Sequence, residues 1–149
     1  MKKYLFCLCL GLFMGCEEKE ADPDAKVVAF AAAFADAYFN MDFTKARGMV
    51  APEGEKWLRF MASNVTQDDV DLLNAQEEGA TAEAEGYERL DDSTLVVTMC
   101  VRNYLVKDSL GAAADMAAEG RFRFVVVERG GDYKVRMEGL PRSERQSRD

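Results

Sequence analysis

The apolar residues change their spacing near the middle of the chain, and that change decides most of what it can fold into. Up to about residue 74 they recur at the interval of a helical face; from residue 80 they alternate, as in strands with one buried side. Asp22-Pro23 reads as a helix start, with Asp at the N-cap and Pro at the first position. From Asp24 to Met41, the residues Val27, Phe30, Ala31, Phe34, Ala37, Tyr38 and Met41 fall on one face, and Asp36 points the other way. A second, short helix is expected over Asp42 to Val50. Pro52 opens a third, Glu53 to Asn64, with Trp57, Phe60 and Met61 on one face and Lys56 and Arg59 looking out. Thr66 to Asp69 has the form of a capping box, starting one more turn through Val70, Leu72 and Leu73.

The second half supplies a flat partner for these helices. Ala80 to Leu90 sets Ala80, Ala82 and Ala84 against Thr81, Glu83, Glu85 and Tyr87, then turns at Asp91-Asp92-Ser93. Thr94 to Lys107 places Leu95, Val97, Met99 and Val101 on one face and Val96, Thr98, Cys100, Arg102 and Tyr104 on the other. An alanine-rich connection, Gly111 to Gly120, leads to a third strand with Phe122, Phe124 and Val126 inward. Gly130-Gly131 marks a tight hairpin, and Tyr133, Val135 and Met137 alternate with Lys134, Arg136 and Glu138 in the last strand. Pro141 closes the domain, and residues 142–149 form a polar tail. The expected class is therefore α+β, with N-terminal helices packed on a curved antiparallel sheet over residues 22–141.

Helix, short helix, helix and antiparallel meander together resemble the nuclear transport factor two-like superfamily. Its cone-shaped fold includes ketosteroid isomerase, polyketide cyclase-like proteins and many small lipoproteins. In those lipoproteins a phrase like the one from Ala35 to Val50 follows the first helix. The resemblance covers about residues 24–140 and is one of element order and pattern. A cystatin-like domain, with a single long helix on its sheet, leaves the second and third helices unexplained. The resemblance implies a pocket between the concave sheet face and the helices.

Ahead of the domain, Lys2 and Lys3 precede an uncharged apolar run from Tyr4 to Met14, shorter than the ~20 residues that cross a bilayer. Leu12 to Cys16, L-F-M-G-C, resembles the lipobox of bacterial lipoproteins, although Phe13 and Met14 are bulkier than its usual residues. That resemblance implies a signal peptide over residues 1–15 and a diacylglycerol thioether on Cys16. It further implies an acylated new N-terminus of palmitate type and a tether over residues 16–21. Each buried methylene adds ~0.8 kcal/mol, so two or three such chains make a lasting membrane anchor. The expected location is the cell envelope, in the outer membrane, on either its periplasmic or its outer side.

Composition then removes whole classes of chemistry. Histidine is absent, which excludes histidine-dependent triads and proton shuttles and the usual zinc sites. Of four cysteines, Cys7 and Cys9 fall in the expected signal and Cys16 takes lipid, leaving Cys100 without a disulfide partner. Asp68, Asp69 and Asp71 read as a helix start and not as a calcium loop. Residues 17–92 carry 19 acidic side chains against 7 basic ones, which argues against nucleic acid as a partner. No cofactor, metal or catalytic residue is expected.

Three features invite a binding role. Tyr38, Trp57 and Tyr104 are candidates to line a small apolar ligand pocket. Arg102, Arg121, Arg123, Lys134 and Arg136 are candidates for a basic partner face, unless Glu83, Glu85 and Glu138 pair with them across strands. Val96, Thr98, Cys100, Val125 and Val127 make the outer sheet face apolar enough to suggest a protein partner or homodimer. The favoured function is a lipid-anchored envelope protein with a non-enzymatic binding domain. The alternative is a small-substrate isomerase, dehydratase or hydrolase, which requires a buried carboxylate near Tyr38 with a raised pKa.

Overall fold

The structure is a computed structural model and describes residues 22–109, 111–146 and 148. The expected signal, Cys16 and the tether lie outside the described residues. The expected class is what is observed: helices first, then one antiparallel sheet that curves around them. Helix α1 covers Ala25–Phe39, α2 Phe43–Arg47, α3 Glu55–Ser63 and α4 Gln67–Asn74, with a 3-10 turn at Pro52–Gly54. Strands β1 (Thr81–Asp91), β2 (Thr94–Val106), β3 (Asp115–Arg129) and β4 (Asp132–Arg136) pair in that order.

Helix α1 begins two residues after the expected Pro23: the Asp22 carboxylate accepts the backbone N–H of Asp24 at 3.0 Å in a turn through Pro23, and Asp24 is the N-cap of the helix from Ala25. It ends two residues before the expected Met41. There Met41 adopts a left-handed φ of 61°, and the N–H groups of Met41 and Asp42 donate back to Tyr38 O and Ala37 O at 3.2 and 2.9 Å. This double bond pattern is a Schellman stop, made here without the usual glycine. The helix buries Val27, Ala31, Phe34, Ala37 and Tyr38 as expected, and Phe39 as well. Phe34, fully buried, meets Phe124 edge-on at 5.6 Å between centroids, and Phe39 meets Phe122 at 4.7 Å. Emptying either position would cost about 3–5 kcal/mol.

The helix is pinned to β1 at both ends. At its start the Tyr87 hydroxyl donates to Asp22 Oδ2 at 2.5 Å, and Arg89 is ion-paired with Asp24. At its end the Asn40 amide forms a reciprocal pair with the backbone of Ala80, accepting its N–H and donating to its O, both at 2.8 Å. The same Asn40 nitrogen also donates to Asp36 O at 2.9 Å. Gly79 makes this possible, because a Cβ there would sit 2.5 Å from Asn40 Oδ1.

The strands correct several sequence expectations. In β1 the ladder slips between Ala84 and Gly86, a bulge that turns Tyr87 and Arg89 onto the face of Ala82 and Ala84, toward α1. Simple alternation had put Tyr87 with Glu83 and Glu85. Strand β3 starts at Asp115, five residues into the segment expected to be a connection, because β2 runs on to Val106 and offers its ladder to Asp115–Glu119. In α3 the buried side chain is Leu58, while Trp57 and Met61 are half-buried and Phe60 is 39% exposed; the backbone of this helix packs on α2 and the 3-10 turn.

Other features are as the sequence indicates. Gly130 and Gly131 take φ of 60° and 85° in a two-residue turn between Arg129 and Asp132. The outer edge of β4 is covered by the chain after α2, where Val135 N–H donates to Met49 O at 2.8 Å and Ala51 N–H to Val135 O at 2.9 Å. Arg129 grips Glu53 of the 3-10 turn with both guanidinium nitrogens, at 2.6 and 3.0 Å, and lowers its pKa to about 2.

If the Asn40 pair closes the helix onto the sheet, Asn40→Ala should lower stability by about 1–3 kcal/mol by stranding the Ala80 groups. Gly79→Ala should act through the same contact, so urea unfolding of the double variant should show much less than the sum of the single losses.

Candidate functional site

A cavity of ≈ 560 Å³ opens at the end of the domain where α1 finishes. Its floor is aromatic: Tyr38 and Phe39 from α1, Phe43 from α2, Tyr104 from β2 and Phe122 from β3. Phe60 and Met61 of α3 and Val65 form one side, and Asp108, Ser109, Arg142 and Gln146 stand exposed at the mouth. A volume in this range suits a small molecule of modest size.

Tyr104 reaches the floor through a break in the pattern of β2. The sequence alternation puts it with Arg102 on the outer face; the structure puts it on the inner one. Asn103 adopts a left-handed φ of 54° and is skipped between the pairs Arg102–Glu119 and Tyr104–Ala117, so the strand turns over at that point. The Tyr104 ring then lies over Gly120, where a Cβ would come 2.1 Å from its hydroxyl oxygen. Its ring packs on Phe39 at 5.4 Å and on Phe122 at 5.3 Å.

Tyr38 and Tyr104 are thus brought together on the cavity wall, while Trp57 does not line it and instead carries the Lys56 ammonium 5.3 Å over its ring. Burial pushes the Tyr38 phenol well above the ordinary tyrosine range. It raises Tyr104 too, against the opposing charge of Arg145. Both are therefore neutral hydroxyls at any physiological pH. Among the described residues neither hydroxyl has a hydrogen-bond partner.

One carboxylate lines the cavity that strand and helix patterns did not place there. Asp69 closes the expected capping box of α4, accepting the Thr66 N–H at 2.8 Å while its own N–H donates to Thr66 Oγ1 at 3.3 Å. Its side chain is almost wholly buried and meets Lys107 Nζ at 2.5 Å, and the same ammonium donates to Asn64 O at 3.1 Å. Burial alone would raise its pKa, but the bonds from Lys107 and Thr66 outweigh that and hold it below the ordinary aspartate value. This is the reverse of the raised carboxyl that the isomerase-type alternative requires.

On the outer sheet face each candidate cation is already engaged. Arg102 meets Glu83 and Glu119, both at 3.3 Å; Arg121 meets Glu85 at 2.7 Å; Arg123 meets Glu88 at 3.9 Å. Arg136 approaches Glu138 at 3.4 Å, although its buried Nε makes no well-aligned hydrogen bond, and Lys134 donates to Gly48 O at 2.7 Å. Beneath these side chains Val96, Cys100 and Val127 are buried within the single chain, and Thr98 and Val125 are half-buried. Burial raises the Cys100 thiol pKa despite the nearby Arg102, so it is not an activated nucleophile. Residues beyond Pro141 lie against the sheet: Ser143 is buried and Glu144 N–H donates to Arg121 O at 3.0 Å.

The chain matches no protein-family model and no curated protein. Among solved structures it is similar to one described as "Ntf2 like protein involved in plasmid conjugation", at 15% identity and a TM-score of 0.42. The similarity covers 80% of this chain and 48% of that one, so the chain spans about half of that protein's length.

The Asp69 clamp has a definite pH signature. Its folded pKa is depressed, so its contribution is present above the unfolded value of ~3.9 and is lost as pH falls through the folded value. Asp69→Asn should cost about 2–4 kcal/mol in urea unfolding at pH 7. The gap from the parent should close as pH drops below about 4.

Proposed function

We propose that this protein is a lipid-anchored component of the cell envelope whose domain binds a small, largely apolar molecule bearing an oxygen acceptor. The observation that carries the reading is the pair of neutral, unpartnered phenols, Tyr38 and Tyr104, on the wall of an aromatic cavity. Neither hydroxyl oxygen is sealed from solvent, so each is free to donate to a ligand carbonyl or ether oxygen that enters the cavity. The surrounding phenylalanines would supply the area and the phenols the orientation. Binding is favoured over acid–base chemistry because the buried carboxylate of the cavity, Asp69, is committed to Lys107 and to its helix cap, and Asp108 stands exposed at the mouth.

The anchor rests on the lipobox-like segment ending at Cys16. Among the described residues no helix is long and apolar enough to cross a membrane. A protein-facing role for Arg102, Arg121, Arg123, Lys134 and Arg136 has less support, since each already has a partner within the chain.

Two measurements check these readings. Cys16→Ala should move the protein from the membrane to the soluble fraction; equal partitioning of parent and variant would remove the anchor. The polarity-sensitive aromatic ketone prodan should bind the parent saturably with blue-shifted emission. Tyr38→Phe and Tyr104→Phe should each weaken it about 2–10-fold, the loss of one hydrogen bond. Absence of saturable binding, or an affinity equal to the parent's in both variants, would remove the pocket reading.

A further inference from the structure

We infer that the cavity mouth is held facing away from the membrane that anchors the chain, so that its ligand arrives from the aqueous phase and not from the lipid of that bilayer. The inference rests on the proposed lipid at Cys16 and adds to it the geometry of the described domain.

The chain enters the domain at Asp22, which is bonded to Tyr87 on β1, and Asp24 is paired with Arg89. Arg89 lies opposite Leu95 at the beginning of β2, and Leu95 lies opposite Val126 near the end of β3. The anchor therefore attaches at the end of the sheet that carries the β1–β2 and β3–β4 turns. The cavity is at the other end. It is lined by the last residues of α1 and by Tyr104 to Ser109, beginning nine residues beyond Leu95.

Helix α1 has 15 residues, which separates its two ends by ~22 Å. From Leu95 to Leu105 the strand advances ~33 Å. The link from Cys16 to Asp22 reaches at most ~20 Å when fully extended. Standing on so short a link, the domain holds its far end off the surface, and the mouth reaches the lipid only if the domain lies over or inverts. Both ends carry exposed acidic residues, Asp91 and Asp92 near the anchor and Glu77, Glu78 and Asp108 near the mouth, where the exposed Arg142 and Arg145 make the charge mixed.

Exposed apolar groups favour the same orientation. Tyr87, 45% exposed, and Leu90, 54% exposed, lie at the anchored end, where an amphipathic ring and an aliphatic side chain suit a lipid interface. Phe60, the other large exposed apolar side chain among the described residues, belongs to the cavity wall.

The test uses the full lipidated chain, extracted from bacterial membranes and reconstituted into phosphatidylethanolamine–phosphatidylglycerol vesicles containing headgroup-nitroxide lipid. A fluorophore is placed through Leu90→Cys or Ser109→Cys; Cys100 is buried and stays unlabelled in the parent. Asp92→Cys and Asp108→Cys give a second pair should either of the first fail to fold. Quenching at position 90 or 92 is expected to exceed that at 109 or 108 several-fold. Equal or reversed quenching on protein that floats with the vesicles overturns the orientation alone. Failure of the parent to float overturns the anchor and this inference with it.

Discussion

The fold depends on one helix held at both ends to one strand. Helix α1 runs alongside β1, and Asp24–Arg89 at one end and Asn40–Ala80 at the other fix their register. The Asn40 pair imitates a step of a β-ladder: a side-chain amide satisfies both backbone groups of the residue that opens the sheet. Between the two pins the apolar effect supplies the energy, through Phe34 and Phe39 on Phe124 and Phe122. The polar contacts supply direction, which burial alone does not specify.

That arrangement also makes the cavity. Because α1 stops at Phe39 in a left-handed turn, the chain swings away and leaves the end of the sheet to be covered by α3, the start of α4 and the segment after Pro141. Side chains of unlike origin cannot close such a gap completely. The remaining space is lined by rings on the sheet side and by Asp69–Lys107 at the edge, an ion pair that ties α4 to the end of β2. That carboxylate is thereby spent on holding the wall, and the hydroxyls of the aromatic floor are those of its two phenols.

Much of this was readable in advance, and the failures share a cause. The turn at Asp22-Pro23 that leads into α1 and the helix start at Thr66 to Asp69 follow from local hydrogen bonding, and the Gly130-Gly131 turn follows from the conformations open to glycine. Tyr87 and Tyr104 were assigned to the wrong faces because a period of two holds only while the ladder is unbroken. A bulge before Gly86 reversed one, and a left-handed Asn103 reversed the other. The second had a signal, since asparagine sits oddly within the run from Thr94 to Val106. Asp69 was read correctly as a cap, but nothing local shows that Lys107, 38 positions along the chain, would meet it.

The sequence by itself determined the class of this protein: helices before an antiparallel sheet, no histidine chemistry, and a lipobox-like cysteine ahead of one domain. Those properties depend on composition and on residues within a few positions of one another. Only the tertiary structure decided which tyrosines share a cavity, which carboxylate is neutralised, and that the cavity opens at the end opposite the chain's entry. Each of these depends on how far one element slides or turns against another. That is settled by long-range packing and by single-residue breaks in strand register, which local pattern does not record.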